Sequence, residues 1–189
     1  MSDLLRFEVD EITVKDIERR LGSFGGKAPN AMKNALNDTA KDARTDLWAK
    51  ANATYSIKKG GFNRDMRIIP ASTSTLEAVL VTRGAPIEMI KFSVRNRKGT
   101  PSVEILRGRV KSMGKRSFVN NVAHNGHHLA VAKYIGGKDS RLKIQKKFSV
   151  SSPQMIGNEQ RVYGIVEPNI LKNLQKNVDR QILMILARG

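Results

Sequence analysis

The segment GHHLAVAKYIGGKDSRLKIQKKFSVSSPQM, residues Gly126 to Met155, decides how this chain is read. It opens on a turn signal at Asn125-Gly126, passes through the apolar run His128 to Ile135, turns at Gly136-Gly137 and resumes as the basic run Lys143 to Val150. Apolar runs bounded by Asn-Gly or Gly-Gly form hairpins because those residues adopt turn conformations that others resist. Ser152-Pro153 then marks a helix start, since proline suits the first helical turn, where its missing N–H is not needed. The predicted unit is a hairpin that hands the chain to a terminal helix.

On the N-terminal side, Leu4 to Val9 alternates weakly and predicts a short strand. Thr13 with Asp16 resembles a capping box lacking its preferred Glu or Gln. Val14, Ile17, Leu21 and Phe24 fall on one helical face, which Gly22, Gly25 and Gly26 bring to an end. Pro29 starts a second helix, in which Ala31, Ala35, Thr39, Ala43, Leu47 and Ala51 recur every fourth residue. So small a stripe lets the backbone lie close to its neighbour, either the core, which is favoured, or another subunit. Trp48, the single tryptophan, is expected as a core anchor rather than a base-stacking platform.

Strands follow at Arg67 to Ile69, at Leu76 to Thr82 with Leu76, Ala78 and Leu80 on one face, and at Pro86 to Phe92. Val103 to Leu106 and Arg109 to Lys111 flank Arg107-Gly108 as a hairpin, and Phe118 to Val122 leads back to the opening segment. Beyond Met155, Arg161 to Val166 reads as a last short strand or an irregular turn. Pro168 starts a helix over 168–187, with Leu171, Leu174, Val178, Ile182 and Ile185 along one face. Helices at both ends with consecutive strands between them predict an α+β fold. Its antiparallel sheet of short strands is flanked by a long N-terminal alanine-rich helix and a C-terminal amphipathic helix, in one domain spanning 1–189.

The chain carries 34 Lys and Arg against 17 Asp and Glu, a net charge of +17, which favours polyanionic partners, either nucleic acid or an acidic protein surface. Nine basic residues between 91 and 116 face one acid, Glu104, so nearly half of the excess lies there. The candidate contact residues are Arg95, Arg97, Lys98, Arg107, Arg109, Lys111, Lys115 and Arg116, within a segment, 93–117, that reads as a flexible basic loop or hairpin. No recognition helix, zinc finger or aromatic RNA-binding signature accompanies this charge, so nucleic-acid contact is expected to be indifferent to sequence.

Cysteine is absent, which excludes disulfides and thiolate chemistry and suits a reducing cytoplasm. The first residues lack a secretory pattern, and no apolar run is long enough to span a membrane. His124, His127 and His128 carry no acid between them, and adjacent strand positions point to opposite faces, so they are not expected to share a metal. Gly114-Lys115 lacks the upstream glycine and the following Ser or Thr of a phosphate loop. With no nucleophile elbow or zinc-protease helix either, neither catalysis nor a cofactor is expected.

Two stretches carry a family resemblance. One is AMKNALNDTAKDARTDLWAKANATYSIKK with the following RIIPAS and LEAVLVTRGAPIEMIKF; the other is the opening segment, with its Asn-Gly-His turn, apolar strand, basic glycine turn, LKIQKKF and SVSSPQM in order. Together, over roughly 29–156, they resemble the phage minor tail protein Z family, tail-completion proteins of long-tailed bacteriophages and prophages. This chain has Ala132, Lys133 and Tyr134 where that family commonly has an aromatic and an arginine. The resemblance implies a structural virion protein without cofactor, finishing the head-proximal end of the tail or joining tail to head. It further implies other tail or neck proteins as partners, a homo-oligomeric ring, and a place in the virion after assembly in the host cytoplasm. The alternative from the charge alone is a nonspecific DNA-binding protein that uses residues 91–116.

Overall fold

An alanine every fourth residue puts one face of the second helix hard against its neighbours, and in a computed structural model of the chain that face is fully used. The structure describes residues 2–8, 11–58, 62, 65–97, 100–114, 117–120, 130–135 and 143–188. Helix α1, Glu11–Leu21, runs through a tight turn at Gly22–Lys27 into α2, Ala28–Thr54, with Pro29 in its first turn. Thr13 therefore lies inside the first turn of α1 and does not cap it. Along α2, Ala31, Ala35, Thr39, Ala43, Leu47 and Ala51 are all buried within the single chain, so the stripe belongs to the core.

The partner of that stripe is the C-terminal helix α4, Tyr163–Leu186. Asp38 of α2 meets Arg180 and Gln181, whereas Thr39 and Asp42 meet Asn177, so the two helices run antiparallel. Small side chains allow this close approach, and dispersion over many short contacts stabilises it. Asn177, 4% exposed, donates through Nδ2 to Thr39 Oγ1 and to Asp42 Oδ2, both at 3.1 Å, which satisfies its amide inside the seam.

Helix α4 begins before Pro168, at Tyr163, and so replaces the strand or irregular turn expected at 161–166. The Asn158 carbonyl accepts from the N–H groups of Arg161, Val162 and Tyr163, winding a turn that leads into the helix. Gly164 then donates to the Glu159 carbonyl, and a Cβ at that position would stand 2.5 Å from the same oxygen, so only glycine fits. With its start moved upstream, the buried stripe of α4 runs through Val166, Ile170, Asn177, Gln181 and Ile182. Leu171, expected in that stripe, is 66% exposed instead.

Among the described residues there are eleven short strands, one before α1 and ten between α2 and α4, every pair antiparallel, in an α+β fold. Strands β1, Ser2–Glu8, β2, Met66–Ile69, and β3, Glu77–Thr82, form one sheet in the order β1-β3-β2. As its central strand, β3 is buried on both faces from Ala78 to Thr82, rather than on alternate residues. The strand expected over 86–92 is split by a tight turn at Met89–Lys91 that sends Phe92 wholly into the core. On either side lie β4, Pro86–Glu88, and β5, Ser93–Arg97.

Strand β5 opens a meander with β6, Thr100–Leu106, and β7, Arg109–Ser112. Gly108 closes the β6–β7 hairpin at φ +79°, in the left-handed region that favours glycine. The basic segment is thus a built hairpin over its described residues. Strands β8, Ser117–Asn120, β9, Ala130–Ile135, and β10, Lys143–Lys146, make a third sheet, with β9 central and paired to β10 as a hairpin. The basic run expected to continue to Val150 breaks at Lys147, and β11, Phe148–Ser151, crosses to pair with β4.

Helix α3, Ser152–Ile156, follows, with Ser151 as its N-cap. The Ser151 N–H donates to Gln154 Oε1 at 3.1 Å, as in a capping box, so the helix starts where Ser-Pro placed it. The buried Ser152 hydroxyl donates instead to Asp65 across the fold. One contiguous apolar cluster runs from Ile17 through Leu47, Phe62, Leu80, Phe92 and Met155 to Ile182.

Candidate binding cleft

The last turn of α2 fixes the meander in place. Tyr55 bridges to Leu106, Ser56 N–H donates to the Ile105 carbonyl at 2.9 Å and Arg107 N–H to the Thr54 carbonyl at 3.0 Å. The Arg107 guanidinium donates from Nε to the Asn52 carbonyl at 2.8 Å, near the helix C-terminus, where a cation is favoured. Gly108 N–H donates to Glu104 Oε1 at 2.7 Å. Arg107, a contact candidate by sequence, therefore works in holding the hairpin to the helix.

Strand register divides the remaining candidates. Arg95 pairs with Ser102, and its guanidinium stands 4.0 Å from Glu104, so both lie on the outer face of the meander. Lys111 pairs with the buried Val103 and Arg109 stands two residues away, which places both on the opposite face. A cluster that is continuous in sequence is thus split between two surfaces. Arg97 pairs with Thr100 at the end of β5. Lys98, Lys115 and Arg116 lie outside the described residues, as do His124, His127 and His128.

Under the inner face, Arg109 and Lys111 line a cleft of about 510 Å³. Val103, Ile105 and Leu106 supply apolar wall, Tyr55 lies beneath, and Val150 of β11 and Arg161 stand across from the hairpin. No carboxylate lines it among the described residues, so its field is positive. Burial pushes the Tyr55 phenol above its ordinary value, and the neighbouring Arg161 guanidinium pulls it part of the way back. Asn158 also lines the cleft, and its Oδ1 is buried without a hydrogen-bond partner.

Tyr55, Asn158 and Arg161 join this site without having been candidates from sequence. Their local sequence carries no motif, and only the α2–β6 bridge and the turn before α4 bring them together. In the basic run at 143–150, Lys146 pairs with Glu88 at 3.4 Å and Lys147 donates to the Met113 carbonyl at 2.6 Å.

Trp48 departs from its expected place. It is 43% exposed beside Lys41, Arg44 and Ile68, because residue 48 stands next to, rather than on, the stripe that ends with Leu47 and Ala51. Among the described residues, no group of three or more His, Cys, Asp or Glu is placed to hold a metal ion, and no helix is long and apolar enough to cross a membrane. No protein-family model, curated protein or solved structure matches the chain.

Proposed function

We propose that this protein is a non-enzymatic structural component of a phage or prophage tail, completing the head-proximal end of the tail or joining it to the head. The observation that carries the proposal is the order of elements. An alanine-rich helix, short strands, the β9–β10 hairpin, the Ser-Pro helix start and an amphipathic helix occur in the sequence in which the resemblance presents them. A subunit of such an assembly works through surfaces, and the basic cleft together with exposed Leu171, Leu183 and Leu186 on α4 supports that role. Other tail or neck proteins and copies of this chain in a ring are its partners under this reading. Particles made without it are expected to show aberrant tail ends or unjoined heads by electron microscopy; normal tails joined at normal frequency would rule the role out.

The second reading, nonspecific DNA binding, is favoured by the exposure of Arg95, Arg107 and Arg109 on the meander. It requires affinity for duplex DNA that falls steeply with salt, as phosphate contacts release counterions. Neutralising Arg95, Arg97, Arg107 and Arg109 should then reduce the salt slope, and failure to bind duplex DNA at low salt removes this reading.

A further inference from the structure

The cleft holds several groups that the scaffold leaves unused. Arg109 and Lys111 have no ion-pair partner among the described residues, although both overhang an apolar wall. Asn158, whose Oδ1 is buried without a hydrogen-bond partner, lines the same cleft. Two edge strands also contribute to the walls, for among the described residues β7 pairs only with β6 and β11 only with β4. An unpaired strand edge offers backbone donors and acceptors to an extended chain, and the pockets beside it select alternate side chains.

We propose that this cleft binds an extended segment of another polypeptide, added as a strand to the free edge of β7, with acidic and apolar side chains at alternating positions entering the cleft. The two-residue period sends every second side chain of an added strand to the face of Arg109 and Lys111. An apolar residue there meets Val103 and Ile105, while acids two positions to either side meet Arg109, Lys111 and Arg161. The proposal stands on the cleft; only the identity of the partner as a neighbouring tail subunit rests on the function proposed above.

The test uses the full chain and a labelled, end-blocked peptide in which Glu, Val and Glu occupy alternate positions between threonines, with binding followed by fluorescence anisotropy. The acidic peptide should bind more tightly than the same peptide with lysine for glutamate. The double variant Arg109→Glu/Lys111→Glu should weaken it by about tenfold or more, whereas Arg67→Glu/Lys172→Glu, with the same change in net charge on remote surfaces, should change it less than about twofold. Peptides N-methylated at alternate residues, in each of the two phases, test strand pairing on the unaltered protein. One phase should abolish binding and the other should leave it. Equal weakening by both double variants, indifference to N-methylation in both phases, or displacement of the peptide by duplex DNA would overturn the proposal. None of these outcomes depends on whether the protein belongs to a tail, which the particle experiment decides separately.

Discussion

Two asparagines near the two ends of the C-terminal region show what separates structure from site in this molecule. In the α2–α4 seam, Asn177 is buried and donates to both Thr39 and Asp42, so its amide belongs to the packing. At the cleft, Asn158 keeps a buried Oδ1 with no partner, near Arg109 and Lys111, which have no ion-pair partner among the described residues. The seam is closed by alanines that leave no room; the cleft is about 510 Å³ of room. A polar group in the first place is consumed by the fold; in the second one oxygen is left unbonded, while the exposed Arg109 and Lys111 remain available to a partner.

Volume offers the sharpest way to break this contrast. Ala43→Leu forces a branched side chain into the seam, where Ala43 is 1% exposed, and should destabilise the protein by about 1–3 kcal/mol in urea unfolding. Ser149→Leu adds comparable bulk to the cleft wall, which has space for it, and should stay within about 0.5 kcal/mol. Equal costs at the two positions would mean that the seam is not close-packed. The asparagines themselves should also separate. Asn177→Ala removes two hydrogen bonds, one to a carboxylate, and should cost about 1–3 kcal/mol. Asn158→Ala removes a buried oxygen that bonds to nothing and should leave stability unchanged or raise it by up to about 1–3 kcal/mol.

The seam was legible in the sequence and the cleft was not, for a physical reason. A helix repeats its environment every three or four residues, so the spacing from Ala31 to Ala51 announces a buried face without knowledge of what covers it. The same period misled slightly in α4, where the true start at Tyr163 moved burial from Leu171 to Ile170. Short strands repeat every second residue over only a few positions, and the face each presents depends on register. Nothing local distinguishes Arg95, on the outer face with Glu104, from Lys111, on the inner face opposite Val103. The cleft also draws Tyr55, Lys111, Val150 and Arg161 from distant parts of the chain, a convergence that only tertiary packing creates.

Tyr55 and Tyr163 extend the comparison to titration, with opposite expected responses to removing a neighbour. Tyr163 donates to Glu167 Oε1 at 3.0 Å, and burial, reinforced by that bond, pushes its phenol from the ordinary 10.0 up to about 12. Tyr55 is also raised by burial, but Arg161 favours its ionised form. For both, the fold prefers the neutral phenol, so the associated stability is present below the unfolded value and is lost as pH climbs through the folded one. For Tyr163 that window runs from 10.0 to about 12. Glu167→Gln should lower the Tyr163 transition, because it takes away the negative charge that opposes phenolate, whereas Arg161→Gln should raise that of Tyr55. Phenolate absorbance followed against pH, with Tyr163→Phe and Tyr55→Phe assigning the steps, reads both shifts. If Arg161→Gln left the Tyr55 transition in place, Arg161 would not project its charge into the cleft, and the acidic partner would lose one of the three cations that define it.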